Sequence, residues 1–595
     1  MILTITPLQT PTFATVAPIC SGDILSALPT TSLNGYSGTW SPALDNTTTT
    51  TYTFTPSGCA TPTTLTIVVG GTKVWNAGWT PAGAPTSIDA VTIMGNYTAS
   101  TDGGTINACS MTVDNNAVVL IDNDFNIILQ GALTVTSGSV TINNNSNLLQ
   151  TRNTANTGNI TIKRNSSALF RLDYTQWSSP VTGTTTLQQF SPSTTNTRFY
   201  NYNSATNLYS AYLTPNTVTF DVARGYHIRM PNNWVAAPVA PAKYTGIFSG
   251  VPTNGSQTFT MNNTGAGLGF NLVGNPYPSD ISMTSFVTAN SSNITGTLYF
   301  WRKTNNASAP SYSTWAGGTF NQGTATATDP NGIISVGQGF MVAAAAGQTN
   351  LVFNNTMRFA DNVDQFFRGN NTIDYNRIWL NATNATGSFC QSTVGYITGA
   401  TSGVDQSDGL FFNDGDINLT SLIGTDNYAI QGRALPFAAS DIVPLSFKAT
   451  TAGNYTIAID HVDGLFIGSS DIYLKDNLNG TTNNLTTGAY NFAANSGIDN
   501  SRFELVYSQA LATNNVTFND NNVIVYKNNN TININSGSQT ISNVKVFDIR
   551  GSLLVEKNNL NATQTAIDSS SFANQVLVIT ITDSNGLKVS KKIVN

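Results

Sequence analysis

The sequence predicts an all-β protein made of serial β-sandwich domains, with a β-solenoid segment and a small C-terminal β-sandwich. At 595 residues the chain is too long for a single hydrophobic core. Only 9% of its residues are charged, and its only glutamates are Glu504 and Glu556, so strong helix formers are scarce. Hydrophobic residues still make up 40% of the chain, which is enough to drive burial and argues against disorder.

Charge and hydropathy argue against a nucleic-acid partner and against a transmembrane segment. The net charge is -6, and no basic stripe with interleaved aromatic residues is present, so we expect no nucleic-acid partner. No apolar run approaches the roughly 20 residues of a membrane-spanning helix, so we expect no transmembrane segment. The prediction is a chain that acts outside the membrane bilayer.

The N-terminal segment contains one small repeat and the end of another. Leu-Thr-Ile at residues 3–5 returns at residues 65–67. We therefore expect residues 1–7, which lack the basic start of a secretory leader, to be the last strand of a preceding repeat. Residues 1–70 are assigned to this first domain.

Two motifs in this domain carry a family resemblance. Ile-Cys-Ser-Gly at residues 19–22 and Gly-Thr-Trp-Ser-Pro at residues 38–42 resemble the immunoglobulin-like repeats of giant gliding-motility surface adhesins. Cys20 and Cys59 lie near opposite ends of the repeat, so we predict a disulfide between them, worth about 3–4 kcal/mol in an exported protein. The alternative is two buried free thiols.

Residues 71–169 have a different pattern. Apolar residues recur at alternate positions in short runs, as at Val118 and Leu120 or Val140 and Ile142, and Asn- and Gly-rich corners separate the runs. Short, regularly spaced strands with polar corners favour a parallel β-solenoid. An antiparallel sandwich is the alternative.

Residues 170–368 are rich in aromatic residues and predict a further β-sandwich region. Leu-Tyr-Phe-Trp at residues 298–301 and Gly-Phe-Met-Val at residues 339–342 are typical of core strands. Core packing is the first interpretation of these aromatic residues. The alternative is an exposed set that binds sugar by stacking.

Residues 369–512 predict another sandwich-like module. Four stretches carry its resemblance to a module that precedes the sorting signal in cargo of the type IX secretion system: residues 428–433, 444–447, 472–477 and 502–505. An Asn-rich linker is expected at residues 513–522 because that stretch has little to bury.

The last segment, residues 523–595, predicts a small sandwich from its alternating apolar runs. Arg550-Gly551 and Asn585-Gly586 are tight-turn sequences. Lys591 and Lys592 precede the last apolar pair and predict a solvated edge strand that resists aggregation.

This segment strongly resembles the C-terminal sorting domain of type IX secretion cargo. The resemblance rests on the β-Asp-x-x-Gly-β pattern, the Asn-Gly turn and the terminal Lys-Lys-Ile-Val. It implies recognition through five residues: Asp548, Gly551, Gly586, Lys591 and Lys592. The segment departs from the family where Tyr-Lys-Asn-Asn at residues 526–529 replaces Tyr-Pro-Asn-Pro, and where Asn-Gln-Val at residues 574–576 replaces Gly-x-Tyr.

The resemblance also implies partners and a location. The partners are the type IX translocon, the outer-membrane shuttle barrel that collects sorting domains, and the sortase-like peptidase that removes them. The location is the outer face of the outer membrane or the medium.

Residue types suited to catalysis are few. His227 and His461 lie in strand-like segments without a nucleophile motif beside either. Cys109 and Cys390 are too isolated for a metal cluster, and we expect each to be a small core residue. No paired carboxylates stand out for glycoside hydrolysis.

One acidic cluster offers oxygen ligands for calcium, although Asp-Gly turns also produce such clusters. Its members are Asp405, Asp408, Asp414 and Asp416. The bidentate Glu that closes a calcium loop is absent, so we predict no cofactor or metal.

The sequence therefore predicts an adhesin-like protein rather than an enzyme. Its expected function is adhesion or gliding motility after type IX export, with a surface glycan as a candidate ligand. The alternative is the C-terminal, non-catalytic part of a secreted polysaccharide-degrading enzyme.

Overall fold

A computed structural model describes residues 8–263, 269–302, 311–323, 327, 329–360, 375–413, 415–468, 471–508, 518–520, 522–537 and 539–595. Strands make up 50% of the structure and helices 4%, which confirms the all-β prediction for the described residues. The chain divides into a first unit, residues 1–306 with 326–370, and a second unit, residues 307–325 with 371–595. The strand predicted for residues 1–7 and most of the predicted linker lie outside the described residues.

The N-terminal domain of the first unit contains a three-stranded antiparallel sheet. Its strands are Gly38–Ser41, Thr50–Pro56 and Thr63–Ile67, with the second in the middle. Successive side chains of a strand point to opposite faces, and Tyr52 and Phe54 are the fully buried pair. The ring of Phe13 lies edge-on to those of Trp40 and Phe54, with centroids 4.7 Å from each. Aromatic packing therefore supplies most of this small core.

The following segment is a parallel β-solenoid, as predicted. Its first sheet has the strands Thr72–Trp75, Trp79–Thr80, Ala90–Ile93, Ser110–Val113 and Leu133–Val135; its second has Tyr97–Thr98, Val118–Ile121, Ser139–Ile142 and Ile160–Leu169; its third has Ile106–Ala108, Asn126–Leu129 and Asn147–Gln150. Val119 pairs in parallel with Tyr97 and Val140, while Ile127 pairs with Leu148. Parallel pairing between successive coils rules out the antiparallel sandwich, and it stacks one buried aliphatic side chain on the next.

Asparagine and aspartate form the corners of the solenoid. Asn115, Asn116 and Asn145 have φ angles of 55°, 54° and 59°, and Asp124 has 73°. These residues enter the left-handed region at lower cost than other side chains, because their short polar groups can hydrogen-bond locally. The Asn-rich composition between the apolar runs is therefore what lets the chain turn at each coil.

The predicted pairing of Cys20 with Cys59 is wrong. Cys20 forms a disulfide with Cys109, and their Cα atoms are 5.9 Å apart. Cys59 is an exposed free thiol. The backbone of Ile19 bonds to that of Val68 at 3.0 Å, at the point where the chain enters the solenoid, so Cys20 faces the coil that holds Cys109. Cys109 is accordingly not the isolated core residue that the sequence predicted.

The remainder of the first unit consists of strands that pair antiparallel. Its strands are Tyr174–Trp177, Val181–Thr182, Phe199–Tyr200, Tyr202–Asn203, Leu208–Tyr209, Tyr226–Arg229, Ala242–Pro252, Gln257–Thr260, Phe270–Gly274, Asp280–Ser282, Ile294–Trp301, Ile333–Ile334, Gly339–Ala344, Asn350–Phe353 and Arg358–Phe359. The strand Ala242–Pro252 pairs antiparallel with Ile160–Leu169, the last solenoid strand. Trp177, Phe190 and Phe248 share one core with the solenoid aliphatics, so the core continues past the predicted boundary at residue 169.

Helices are short throughout the described residues. Those of the first unit are the α-helices Ala99–Asp102, Leu187–Phe190 and Met283–Ala289 and the 3-10 turns Asn196–Arg198 and Asn355–Met357. The described part of the chain contains no helix of the length and hydropathy that crossing a membrane requires.

The second unit contains a large sheet. Its strands are Tyr375–Asn384, Phe389–Ile397, Gly409–Leu410, Ile417–Ile423, Asp426–Ala434, Ile442–Ala449, Gly453–Val462, Tyr473–Asp476, Thr481–Asn484, Tyr490–Ala494 and Gly497–Val506, with the 3-10 turn Gly464–Phe466. Leu380, Phe447 and Ile457 lie in a single buried cluster, as expected if the sheet folds over one core. Cys390 is buried in that cluster, which confirms its prediction as a core residue.

A hairpin of the second unit comes from a segment that the sequence assigned to the region 170–368. Its strands are Tyr312–Ala316 and Thr319–Asn321. The indole N–H of Trp379 donates to the Phe320 carbonyl at 2.8 Å, and the Asn321 amide donates to the carbonyls of Gln391 at 2.8 Å and Ala429 at 3.1 Å. These long-range bonds, which no local pattern encodes, place the hairpin in the second unit.

The C-terminal domain of the second unit is a sandwich of two antiparallel sheets, in agreement with the predicted small β-rich domain. The first sheet has the strands Ile524–Asn528, Thr531–Asn535 and Gln564–Asp568; the second has Ile541–Phe547, Leu553–Ala562, Val576–Asp583 and Lys588–Val594. In the second sheet Leu553–Ala562 and Lys588–Val594 are the outer strands.

Candidate recognition surface of the C-terminal domain

The C-terminal domain has its own hydrophobic core. Ile534, Val546 and Ile579 are almost completely buried and belong to one cluster, separate from that of the large sheet. Phe518, which the sequence placed in a linker, is 6% exposed and belongs to the same cluster. Phe518 is therefore part of the domain, although it precedes the predicted start at 523.

The first turn of the predicted recognition set is built around Asp548. This residue follows the strand Ile541–Phe547, and one carboxylate oxygen accepts the backbone N–H groups of Arg550 at 2.9 Å and Ser552 at 2.8 Å. The N–H of Ser552, with that of Arg550, holds the pKa of the Asp548 carboxyl below its ordinary value. Gly551 has a φ of 87°, in the region that favours glycine.

Asp548 therefore shapes the turn and does not present its carboxylate to a partner. Its own surface is 5% exposed, whereas Ile549 is 69% exposed. The side chain of Arg550 is 85% exposed, with Nε 3.6 Å from the Asp548 carboxylate. The accessible groups of this turn are thus Ile549 and Arg550, which the motif pattern does not single out.

A second turn repeats the same geometry at Asp583. Its carboxylate accepts the N–H groups of Asn585 at 2.9 Å and Leu587 at 2.8 Å, and Gly586 has a φ of 84°. The backbone N–H of Asp583 donates to the Leu587 carbonyl at 3.0 Å. The sequence prediction included Gly586 but missed Asp583. Asp583 and Gly586 have the same Asp-x-x-Gly spacing as Asp548 and Gly551, and this spacing predicts the second turn.

The two turns lie at opposite ends of one sheet. Phe547 pairs with Val578, and Val578 pairs with Lys592, so Lys592 lies at the end that carries the Asp548 turn. Thr582 pairs with Lys588, which places the Gly586 turn at the other end. The structure therefore brings Lys592 toward the Asp548 turn and separates both from Gly586.

The last strand, Lys588–Val594, forms one edge of the second sheet. Lys592 is exposed on it, as predicted for a solvated edge. Lys591 differs because its Nζ lies 3.2 Å from an Asp520 carboxylate oxygen and also donates to the Asp520 carbonyl. Lys591 therefore binds Asp520, which precedes the first strand of the domain, whereas Lys592 is exposed to solvent.

The two histidines are placed in aromatic stacks. His227 is buried between Tyr174 and Tyr209, with ring centroids 4.6 Å and 4.3 Å away, and burial lowers its pKa to about 3. His461 stacks on Trp379 at 4.0 Å, and its Nδ1 lies 2.7 Å from the neighbouring Asp460 carboxylate.

The acidic cluster is only partly described. Asp414 lies outside the described residues. The Asp408 carboxylate accepts the N–H groups of Asp405 at 2.7 Å and Gly432 at 2.9 Å, and burial raises its pKa to about 7. Within the described ranges, no group of three or more His, Cys, Asp or Glu side chains is placed to hold a metal ion.

Comparison with known families separates the chain into two parts. A family model described as a domain of unknown function, DUF8693, matches residues 70–507. A second model, described as the domain of unknown function DUF8694, matches residues 511–595, which cover the described C-terminal domain from Phe518 onward. The search of curated proteins found no match.

Proposed function

This chain belongs to the family described as the domain of unknown function DUF8693, and from its own residues we propose that it is a secreted or cell-surface, adhesin-like protein. In this proposal the type IX secretion system exports it through the C-terminal domain, and it serves adhesion or gliding motility. The protein acts by binding, without catalysis.

The architecture of the C-terminal domain is the observation that carries this proposal. It has a separate core and two matching Asp-x-x-Gly turns, and its outer strand carries an exposed Lys592. An outer strand leaves one row of backbone N–H and C=O groups for a partner, which gives affinity without a deep pocket. These features suit delivery to the shuttle barrel, the translocon and the sortase-like peptidase.

The disulfide supports the proposed location. Cys20 and Cys109 are 89 residues apart in sequence and are covalently joined. Disulfides form and persist in oxidising compartments and are rare in reducing ones. The bond is consistent with a protein that matures outside the cytoplasm.

The test is export of the full chain, fused behind a secretory leader of the host, in a bacterium that has a type IX system. The variant is Lys592→Glu, which reverses an exposed charge without touching the core. Lys243→Glu is the matched control, because Lys243 is an exposed strand lysine in another domain. Antibody labelling of intact cells should fall for the first variant and stay normal for the second.

Deletion of residues 588–595 gives the second arm of this test. The deletion removes the whole outer strand, and we expect the protein to remain in the periplasm. Surface labelling of this deletion at the wild-type level would refute the sorting function. If Lys592→Glu is exported normally but the deletion is not, recognition depends on the backbone of the outer strand and on the turns, and not on the Lys592 side chain.

A further inference from the structure

A three-stranded sheet in the first unit has one face in the solenoid-linked core and an opposite, outer face that is partly buried. Its order is Tyr174–Trp177, Tyr226–Arg229 and Phe199–Tyr200, with the second strand in the middle. Phe199 and Ile228 are paired and buried in the solenoid-linked core. Since side chains alternate along a strand, the intervening residues lie on the outer face. On that face His227 is buried between the rings of Tyr174 and Tyr209.

The outer face is aromatic. Tyr174 pairs with Arg229 across the strands, and Tyr200 pairs with His227. The ring of Tyr174 is parallel to that of His227, with an interplanar angle of 1°, and its centroid is 6.1 Å from that of Tyr200. Burial keeps His227 neutral at physiological pH, so it supports the tyrosines as an uncharged ring. Both tyrosines are half-buried, which leaves part of each ring accessible.

Three arginines surround these rings. Arg171 and Arg198 are exposed, and Arg229 is half-buried. Nη1 of Arg198 lies 3.4 Å from the Tyr200 hydroxyl, and Nη2 of Arg229 donates to the Thr195 hydroxyl at 3.1 Å. Burial, with further contributions from the neighbouring Arg198 and Arg171, lowers the pKa of Arg229. We call the whole set the arginine–tyrosine face: Arg171, Tyr174, Arg198, Tyr200 and Arg229.

The arginines of this face lack the acidic partners that two other arginines of the unit have. Arg152 is paired with Asp23 at 2.5 Å, and Arg224 with Asp221 at 2.9 Å. Within the described ranges, no carboxylate forms an ion pair with the three arginines of the face. The Nε of Arg229 is buried there without a hydrogen-bond partner among those residues. A buried unpaired donor is costly, so each such group in a native protein calls for an explanation.

We propose that the arginine–tyrosine face binds an acidic polysaccharide, with a carboxylate or sulfate group held by the arginines and a sugar ring packed against the tyrosines. Guanidinium groups bind such anions through charge-assisted, often bidentate hydrogen bonds. Aromatic rings offer a flat apolar surface to the C–H face of a sugar. This inference rests on the adhesive function proposed above and names its ligand class.

A single-stranded nucleic acid also combines negative charge with rings that stack on aromatic side chains. The chain as a whole carries a net charge of -6, which disfavours a continuous phosphate backbone. The three arginines around the two tyrosine rings can bind one or two anionic groups that are spaced as on neighbouring sugar units. The acidic polysaccharide is therefore the ligand class that the face fits better.

The experiment uses the purified full chain in affinity electrophoresis and calorimetry. The probes are a polyuronate, a sulfated galactan, a neutral glucan and a single-stranded oligonucleotide. We expect binding to the polyuronate or the sulfated galactan, and the stronger of the two identifies the anionic group. Binding should weaken as salt rises, because exposed charges are screened.

The key variant is Arg198→Ala, since this side chain is exposed and its loss leaves the core intact. Losing one charge-assisted contact should weaken binding about 10-fold or more. Arg224→Ala is the matched control, because it removes an arginine of the same unit that already has an acidic partner. This control should bind as the wild type does. Near-ultraviolet circular dichroism on both variants checks that the aromatic core is unchanged.

Several outcomes would overturn the inference. These are no binding to either acidic glycan, equal binding to the neutral glucan, equal loss in both variants, or a preference for the oligonucleotide. The readout is independent of secretion, because it uses purified protein. A protein that binds the glycan but is not exported would refute the sorting function alone. An exported protein that binds no glycan would refute this inference alone.

Discussion

Removing Asp476 should destabilise the large sheet of the second unit. Its Oδ2 lies 2.8 Å from Nη2 of Arg502, and the two side chains are 0% and 5% exposed. The guanidinium also lies over the rings of Phe492 and Phe503, 4.9 Å and 4.8 Å from their centroids. The Tyr490 hydroxyl donates to the same carboxylate at 2.8 Å. Asp476→Ala therefore leaves a cation in an apolar site without its counterion.

The expected cost is about 3–5 kcal/mol, since breaking a buried pair strands an uncompensated charge. Lys475 and Glu504, on the same two strands, give the control pair, at 2.8 Å with 39% and 25% exposed side chains. Glu504→Ala should cost about 0–1 kcal/mol because water already screens that pair. The double variant Asp476→Ala with Arg502→Met should recover part of the loss, because an apolar chain then fills the space between the rings.

The effect should depend on pH. Burial alone would raise the pKa of Asp476, but hydrogen bonds from Arg502 and Tyr490 outweigh it and hold the pKa below its ordinary value. The carboxylate is thus stabilising above the unfolded-state pKa of about 3.9, and this stability is lost as pH falls through the folded-state value. The difference between wild type and Asp476→Ala should be constant from about pH 7 to pH 5 and shrink below about pH 4.

Amide hydrogen exchange is measured at increasing urea concentrations on peptides from residues 375–507. It reports the local stability of this sheet without assuming that the whole chain unfolds at once. A loss for Asp476→Ala no larger than that for Glu504→Ala would refute the reasoning. A difference that persists unchanged to pH 3 would refute the assignment to the ionised carboxylate.

Three further predictions concern other parts of the chain. A thiol reagent should label the exposed Cys59 in the native protein, and the buried Cys390 only after unfolding. Burial also raises the pKa of the Cys390 thiol to about 11, so little reactive thiolate is present, and peptide mass spectrometry counts the labels. Ile142→Ala in the solenoid core should cost about 2–5 kcal/mol in urea unfolding, and Val118→Ala on its surface less than about 0.5 kcal/mol; equal losses would contradict the stacked core. Asp583→Ala should destabilise the C-terminal domain by about 1–3 kcal/mol by calorimetry, since two backbone N–H groups lose their acceptor.

Local patterns account for what could be predicted of the C-terminal surface. The Asp-x-x-Gly turn is visible in sequence because its bonds join residues two and four positions apart, as from Asp548 to Arg550 and Ser552. The same spacing at Asp583 was available and missed. No sequence pattern predicts the ion pair of Lys591 with Asp520, because the two residues meet only when the strand Lys588–Val594 forms the edge of its sheet.

The sequence by itself determined the all-β class, the solenoid and the small final sandwich. Alternation of apolar side chains and the Asn corners act over a few residues, so their consequences follow from local spacing. Only the tertiary structure decided that Cys20 pairs with Cys109, that residues 312–321 join the second unit, and that Phe518 belongs to the last core. Each of these depends on segments far apart in sequence that approach once the sheets have formed, and the composition of a segment does not specify which distant segment will cover it.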